Sequence, residues 1–315
     1  MAAPIAKIVL LDAFTSELFR GNPAAVVFSA EPLDEGTRAN LAIEFNQPAI
    51  AFVSHPAILS SSTFAASRTS PLPLIRWHTS RGTGIPLCGH ASMAASYYIL
   101  HHFAPDLPEV RYNFPLPFLA STGQEKDVLV ELVAHKTDDG RVELALPASM
   151  NYRSVAKELE RAILVALAAA TALSASDVEE LVESPSVRIA PLHYANLNQS
   201  LFVVQSAIPY RGIYITNQWP TSEPSPSHFR SRVFFPSLGI PEDHVCGSAH
   251  TFLGPYWTTT LARAGSPLPE LLEVDQVSPR GGHFGLQWNG KWGAEGGLVA
   301  LRGTARLIVE GDLRL

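Results

Sequence analysis

The chain has 315 residues, a formal net charge of −6, 46% hydrophobic and 17% charged residues, and only two cysteines. A single core seldom grows beyond this length, so two domains of about 150 residues each are expected. The apolar fraction excludes a disordered chain, and the lack of a basic run argues against nucleic acid as a partner. Two cysteines without CxxC spacing favour a reducing, cytoplasmic location. The longest apolar run, residues 162–173, is shorter than the roughly 20 residues that span a bilayer, so no membrane partner is expected.

In the first half, short strands alternate with two helices. Apolar and β-branched runs between Gly, Pro, Asn or Ser predict strands at 8–11, 24–28, 50–53 and 74–77. Their spacing leaves a short helix at 35–44, and the apolar stretch 91–103 predicts a buried helix. A β-hairpin is expected from 127–133 and 141–146, because Asp139-Gly140 supplies the positive φ that a tight turn needs.

Residues 147–154 break this pattern and predict a domain boundary. Helices are expected at 155–173 and 176–183, followed by strands at 201–205, 212–216 and 232–235, a second buried helix at 248–263, and strands again within 272–310. Ser-, Thr- and Pro-rich stretches at 60–73 and 221–227 predict loops. The predicted domains are residues 1–148 with a final strand at about 300–315, and residues 149–299.

Both cysteines stand in the same local context. Cys88-Gly89 and Cys246-Gly247 each follow a Gly-Ile-Pro segment and precede an apolar helix, which indicates an internal repeat of one α+β module. Helix N-termini present unpaired N–H groups and partial positive charge, so they bind carboxylates. The same charge lowers the pKa of a thiol and favours the thiolate.

Two such helix starts facing each other across a cleft are suited to moving a proton on a small carboxylated molecule, with an acid on one side and a base on the other. This chemistry needs neither metal nor cofactor. The alternative is that both thiols are small buried apolar groups and that each glycine only forms a turn.

A series of motifs carries a family resemblance along nearly the whole chain: DAFT at 12–15, GNPAAVV at 21–27, LAIEFNQPAIAFV at 41–53, RWHT at 76–79, LCGHAS at 87–92, PEDHVCGSAH at 241–250 and VSPRGG at 277–282. In this order they resemble the phenazine-biosynthesis isomerase (PhzF-like) family, which has the diaminopimelate epimerase fold. The resemblance implies an α+β protein of two similar domains. Each domain wraps a mixed or antiparallel sheet around a central helix, and the active site lies in the interdomain cleft.

The resemblance also implies site residues. It places the family's glycine–histidine pair on Gly89 and His90, its aspartate on Asp243, and its glycine–serine pair on Gly247 and Ser248. In related racemases and epimerases of this fold the acid–base pair is two cysteines, and these positions are Cys88 and Cys246 here. Asn22 lies in the Gly-Asn-Pro turn and is a candidate substrate-binding residue. A homodimer and cofactor-independent chemistry are further implications.

One departure from the family's pattern concerns its principal general acid/base. A glutamate is expected after Asn46-Gln47-Pro48, and Ala49 stands there instead. The sequence therefore predicts an isomerase or epimerase with altered chemistry, in which either the two cysteines or His90 and Asp243 move the proton. The alternatives are a lyase of the same fold, a catalytically dead scaffold that binds or regulates, and an unrelated thiol hydrolase.

Overall fold

A computed structural model describes residues 6–60, 64, 71–119, 125–148, 182–183, 188–189, 213–218, 225–235, 240–265, 268–288, 290 and 297–315. Among these residues the helices are α1 (Glu35–Phe45), α2 (Gly89–Tyr98) and α3 (Gly247–Arg263). The strands are β1 (Ala6–Ala13), β2 (Asn22–Ser29), β3 (Ala49–Ser54), β4 (Leu74–Thr79), β5 (Gly84–Ile85), β6 (Glu109–Leu119), β7 (Glu125–Lys136), β8 (Val142–Pro147), β9 (Val182–Glu183), β10 (Arg188–Ile189), β11 (Ile213–Gln218), β12 (Phe229–Phe235), β13 (Ile240–Asp243), β14 (Leu272–Gln276), β15 (Gly282–Trp288), β16 (Leu298–Gly303) and β17 (Ala305–Leu313).

In the described part of the chain, fifteen strands form one mixed, mostly antiparallel sheet in the order β11-β12-β14-β15-β16-β8-β7-β6-β4-β3-β2-β1-β17, with β13 paired to β12 and β5 to β4. The sheet curves around two helices. α2 contacts β1, β2, β3, β8 and β17, whereas α3 contacts β15, β16 and β8. The α+β class with two similar halves, each a sheet around a helix, is therefore confirmed.

Local sequence signals explain where α1 begins and ends. The Asp34 carboxylate accepts a hydrogen bond from the Thr37 N–H at 2.9 Å and caps the N-terminus. Asn46 ends the helix in the left-handed region with φ 48°, and Pro48 follows shortly after it. The predicted helix is thus confirmed, one residue longer than expected.

The second helix is enclosed on nearly every side. Its small residues are all buried, namely Ala91, Ser92, Ala94, Ala95 and Ser96. Small side chains allow the surrounding strands to approach the helix closely. One π-helical turn, Ile99–Phe103, continues it, so the predicted apolar stretch 91–103 is helical throughout.

The hairpin between β7 and β8 turns at Gly140, whose φ is +79°. Thr137 N–H donates to the Arg141 carbonyl at 2.9 Å and closes the turn. The predicted hairpin is confirmed, with a longer first strand. The hairpin also contacts the second half of the chain, because Arg141 Nη1 donates to Glu273 Oε1 at 2.9 Å.

One expected helix is corrected. Residues 182–183, predicted to end a helix, form the short strand β9, which pairs with β10. The predicted helix at 155–173, the strand at 201–205 and most of the loops at 60–73 and 221–227 lie outside the described residues. The domain boundary at 148/149 stays a prediction.

None of the described helices is long and apolar enough to cross a membrane.

Two ion-pair groups lie in the second half of the sheet. Arg232 and Glu242 form a bidentate pair with two contacts of 2.6 Å, and both side chains are almost fully buried. On the surface, His283 contacts Asp275 at 2.8 Å and Glu273 at 3.1 Å. The hydrogen bond that His283 donates to Asp275, followed by the one that it donates to Glu273, raises the pKa of His283 to about 9.

Candidate active site

Both cysteines are N-cap residues. Cys88 (φ −137°, ψ 109°) precedes α2, and Cys246 (φ −109°, ψ 99°) precedes α3. Each has extended backbone, so the chain turns into a helix at the glycine that follows. This local geometry places each thiol at a helix N-terminus, where the sequence predicts it.

The two helix starts meet at Gly89 and Gly247. A Cβ built on Gly89 lies 3.2 Å from the Gly247 Cα, and one built on Gly247 lies 3.3 Å from the Gly89 Cα. Backbone therefore packs directly on backbone. Only glycine at both positions allows two helix N-termini to approach this closely.

At the start of α2 the thiol and an imidazole are neighbours. Cys88 Sγ lies 3.4 Å from His90 Nδ1, and each residue is 7% exposed. The backbone N–H groups of Ala91 and His90 lower the pKa of this thiol, although the Cys88 side chain makes no capping hydrogen bond. Ser92 Oγ donates to the Cys88 carbonyl at 2.7 Å and fixes the N-cap backbone. The first half of the site thus holds a nearly buried thiol–imidazole pair.

At the start of α3 the thiol is paired with a carboxyl group. Cys246 donates to the side chain of Asp243, which ends β13, and accepts from the Ala249 N–H at 3.4 Å. Ser248 Oγ lies 3.4 Å from the same sulfur. Ser248 is exposed and Asp243 is half-buried, so this side of the site is open to solvent.

Asn22 connects the first module to this second pair. Its Nδ2 donates to Asp243 Oδ1 at 2.7 Å and to the Val245 carbonyl at 2.8 Å. Its Oδ1 is buried and has no hydrogen-bond partner among the described residues. Asn22 is therefore placed beside the carboxyl group, and one of its acceptors is not satisfied by any described residue.

The expectation of low thiol pKa values is wrong for this site. Burial raises the pKa of Cys88 to about 12, and it raises that of Cys246 well above the ordinary value. A helix N-terminus contributes up to about 2 kcal/mol, or roughly 1.5 pKa units, whereas full burial shifts a pKa by about 3–5 units. Burial is the larger effect, and the negative charge of Asp243 raises both values further. Both thiols are protonated at neutral pH.

The two other titratable groups differ in charge at neutral pH. Burial lowers the pKa of His90 to about 3, and the nearby His244 lowers it further. Burial raises the pKa of Asp243 to about 6, while hydrogen bonds from Cys246 and then Asn22 oppose this shift. His90 is therefore a neutral imidazole. Asp243 changes its protonation state close to neutral pH, as an acid–base group should.

Three buried side chains support the site and were not singled out by sequence reasoning. Gln276 bonds the turn between Asp243 and Cys246, and the Ser278 hydroxyl donates to the His244 carbonyl at 2.5 Å. His250 contacts the Cys246 carbonyl at 2.7 Å and Ser231 Oγ at 2.9 Å, so it fixes the first turn of α3. The only sequence signal for Gln276 and Ser278 was their position at or beside the VSPRGG motif.

Neither His78, within the RWHT motif, nor Ala49 supplies a titratable group to the two helix starts. His78 contacts Glu35 at 2.8 Å and packs edge-on against Phe52, on the sheet face that α1 covers. It is a packed histidine. Ala49 begins β3, is 1% exposed and belongs to the same apolar cluster as Cys88. No metal cluster of three or more His, Cys, Asp or Glu side chains occurs among the described residues.

The fold and these contacts define a class: a protein of two sheet-wrapped helices whose N-termini meet, each carrying a thiol beside a second titratable side chain. Residues 11–311 match the family described as phenazine biosynthesis-like protein, and the chain belongs to this family. Its fold is accordingly of the diaminopimelate epimerase type.

Individual relatives cover nearly the full chain. The human phenazine biosynthesis-like domain-containing protein is 30% identical over 321 residues, covering 97% of this chain and 98% of its own. An uncharacterized isomerase of Pseudomonas aeruginosa is 29% identical, with 97% of each chain covered. The crystal structure of a PhzF-family phenazine biosynthesis protein from Enterococcus faecalis superposes with a TM-score of 0.66 at 25% identity, covering 98% of this chain and 99% of that one. The chain is thus a member of a family that includes named isomerases.

Proposed function

We propose that the protein is a cofactor-independent isomerase or epimerase that moves a proton next to the carboxylate of a small metabolite. The observation that carries this proposal is the pairing at the two helix starts. A thiol with a neutral imidazole lies on one, and a thiol with a carboxyl group of pKa about 6 lies on the other. The charge of Asp243 affects the pKa of Cys88, so the two pairs are close enough to interact across the contact.

The substrate carboxylate would bind at the two helix N-termini. There the N–H groups and the helix dipoles stabilise negative charge, including the charge that develops when a neighbouring C–H bond breaks. Ser248 is exposed at the open side of the site. Asn22 retains an unpaired buried acceptor, which suits a hydroxyl or amino group on the substrate.

In the proposed reaction Asp243 is the base. Its carboxylate removes the proton from the substrate carbon, so a C–H bond breaks and an O–H bond forms. On the other side, the S–H bond of Cys88 breaks as its proton is returned to carbon, and the nearby Ala91 and His90 N–H groups stabilise the resulting thiolate. Cys246 does not react. Its hydrogen bond lowers the pKa of Asp243 and keeps the carboxyl group ionisable near neutral pH.

This assignment would let the site function without the glutamate that the family resemblance implies at position 49. Ala49 lies in the apolar cluster that includes Cys88, so nothing at this position can carry a proton. The proton would instead pass through Asp243 and the Cys88–His90 pair. Proton transfer by Asp243 and Cys88 would distinguish this protein's reaction from the glutamate-dependent reaction that the resemblance implies.

The test is exchange of substrate protons with solvent deuterium, followed by NMR for a panel of L-amino acids, 2-hydroxy acids and β,γ-unsaturated carboxylic acids in D₂O. The wild-type protein should exchange one carbon-bound proton of at least one acid. The rate should rise with pH through about 6, because the base must be ionised.

Asp243→Asn should lower this exchange by about 100-fold or more. The exposed Asp106→Asn is the matched control and should change nothing. Undiminished exchange in Asp243→Asn would refute the assignment of the base. Binding of an acid by the wild-type protein without any exchange would instead support the dead-scaffold alternative.

A further inference from the structure

The side-chain amide of Gln276 forms hydrogen bonds to one short turn through both its N–H group and its carbonyl oxygen. It is the last residue of β14 and is completely buried. Its Nε2 donates to the Asp243 carbonyl at 2.6 Å, and its Oε1 accepts from the Cys246 N–H at 2.8 Å. A single planar group thus bridges the two backbone positions that carry the carboxyl group and the second thiol.

The remaining carbonyls of this turn are held by other side chains. Ser278 Oγ donates to the His244 carbonyl and Asn22 Nδ2 donates to the Val245 carbonyl. Gln276 differs from both because it binds the first and the last residue of the turn together. Rotation of either peptide group would break one of its two hydrogen bonds.

We propose that Gln276 is a positioning residue that fixes the Asp243 carboxyl group against the Cys246 thiol. The inference rests on the proposed function, in which this thiol tunes the base. With the amide in place, the backbone at both ends is immobile and the hydrogen bond between the two side chains is maintained. Without it, the thiol leaves the carboxyl group and becomes accessible, and the base loses its position relative to the substrate.

Gln276→Glu is the sharpest variant because protonation should restore its function. An ionised glutamate accepts from the Cys246 N–H but offers no donor to the Asp243 carbonyl. A protonated glutamate offers an O–H donor there and reproduces both hydrogen bonds. The matched control is Gln287→Glu on β15, where the side chain accepts from Arg302 Nη2 at 3.3 Å.

The first readout is alkylation by iodoacetamide in the folded protein, quantified by mass spectrometry as the ratio of Cys246 to Cys88 modified. The ratio cancels the general effect of pH on thiol reactivity. In Gln276→Glu at pH 8 it should be at least about 10-fold higher than in the wild type. It should return toward the wild-type ratio as the pH falls through the pKa of the new carboxyl group. Gln287→Glu should match the wild type throughout.

The second readout is the deuterium exchange described above. A misplacement of the base by about 1 Å lowers kcat by roughly 100-fold. The KM should stay within about threefold of the wild type, because Gln276 bonds only the N-cap N–H of Cys246 and not those of Gly247 and Ser248, the first residues of α3. A kcat that returns toward the wild-type value measured at the same low pH, together with the alkylation ratio, would show positioning.

Gln276→Met tests the same inference without a charge. It should raise the alkylation ratio at every pH and show no recovery. An alkylation ratio equal to the wild type in both variants, or a raised ratio in Gln276→Glu that ignores pH, would overturn the inference. Alkylation needs no turnover, so the role of Gln276 is tested even if the wild-type protein exchanges no proton, and that result would refute only the proposed function.

Discussion

Replacement of Gly247 by alanine should separate the two helix starts and destabilise the protein. The new Cβ would lie 3.3 Å from the Gly89 Cα and 3.1 Å from Leu301 Cδ1. The leucine end can rotate away, but the facing backbone cannot. Overpacking of this kind costs about 1–3 kcal/mol. Alanine in place of glycine in a helix gains up to about 1 kcal/mol. We expect a net loss of about 1–2 kcal/mol in the free energy of unfolding.

The matched control lies in the same helix. A Cβ on Gly254 would meet Val299 Cγ1 at 3.4 Å, which is the limit of ordinary van der Waals contact. Gly254→Ala should therefore be neutral or stabilising by up to about 1 kcal/mol. Urea denaturation of both variants and the wild type gives the two differences directly.

The alkylation rates of Cys88 and Cys246 add a local measure, because a wider contact admits iodoacetamide and should raise both rates in Gly247→Ala. If Gly247→Ala were as stable as Gly254→Ala and left both thiols as protected as in the wild type, the close helix contact would not constrain the site as argued.

Three further outcomes are expected. His283 should stabilise the fold fully below about pH 6.5 and lose this effect as pH rises through about 9, because its pKa is raised in the folded protein. The free energies of unfolding of the wild type and His283→Gln, measured by urea denaturation at pH 6 and 10, should therefore differ only at pH 6. Glu242→Gln should cost about 3–5 kcal/mol by leaving Arg232 buried without its counter-charge, whereas the double variant Arg232→Met with Glu242→Leu should recover most of that loss in the same denaturation assay. At pH 8 the thiols of Cys88 and Cys246 should react with iodoacetamide at least about 100-fold more slowly in the native than in the urea-unfolded protein, and equal rates would contradict their burial.

Features that are determined by residues close together in the chain could be predicted from the sequence. Asp34 and Asn46 bracket α1, and Gly140 marks the β7–β8 turn, because capping and positive φ depend on residues a few positions apart. The two Cys-Gly pairs marked both helix starts for the same reason. The family motifs then identified the fold, since several of them in order are far more specific than any one.

Features that depend on distant contacts could not be predicted. Gln276 lies 33 residues from Asp243 in the chain, and only the pairing of β14 with β12 brings it to the turn. The thiol pKa values were expected in the wrong direction because the helix dipole is a local effect, whereas burial depends on how completely the sheet encloses the helices. His78 shows the same limit, since its partner Glu35 belongs to a helix on the outer face of the sheet.

Binding of a carboxylate should shift the titration of the base. The groups of the site carry at most the charge of Asp243, because both thiols and His90 are neutral at neutral pH. A bound anion disfavours a second negative charge nearby and therefore raises the pKa of Asp243 above about 6. The pH dependence of kcat/KM reports the free protein and that of kcat reports the complex. The acidic limb of kcat should thus lie at higher pH than that of kcat/KM in the deuterium-exchange assay. Coinciding limbs, or the reverse order, would mean that the carboxylate does not bind beside Asp243.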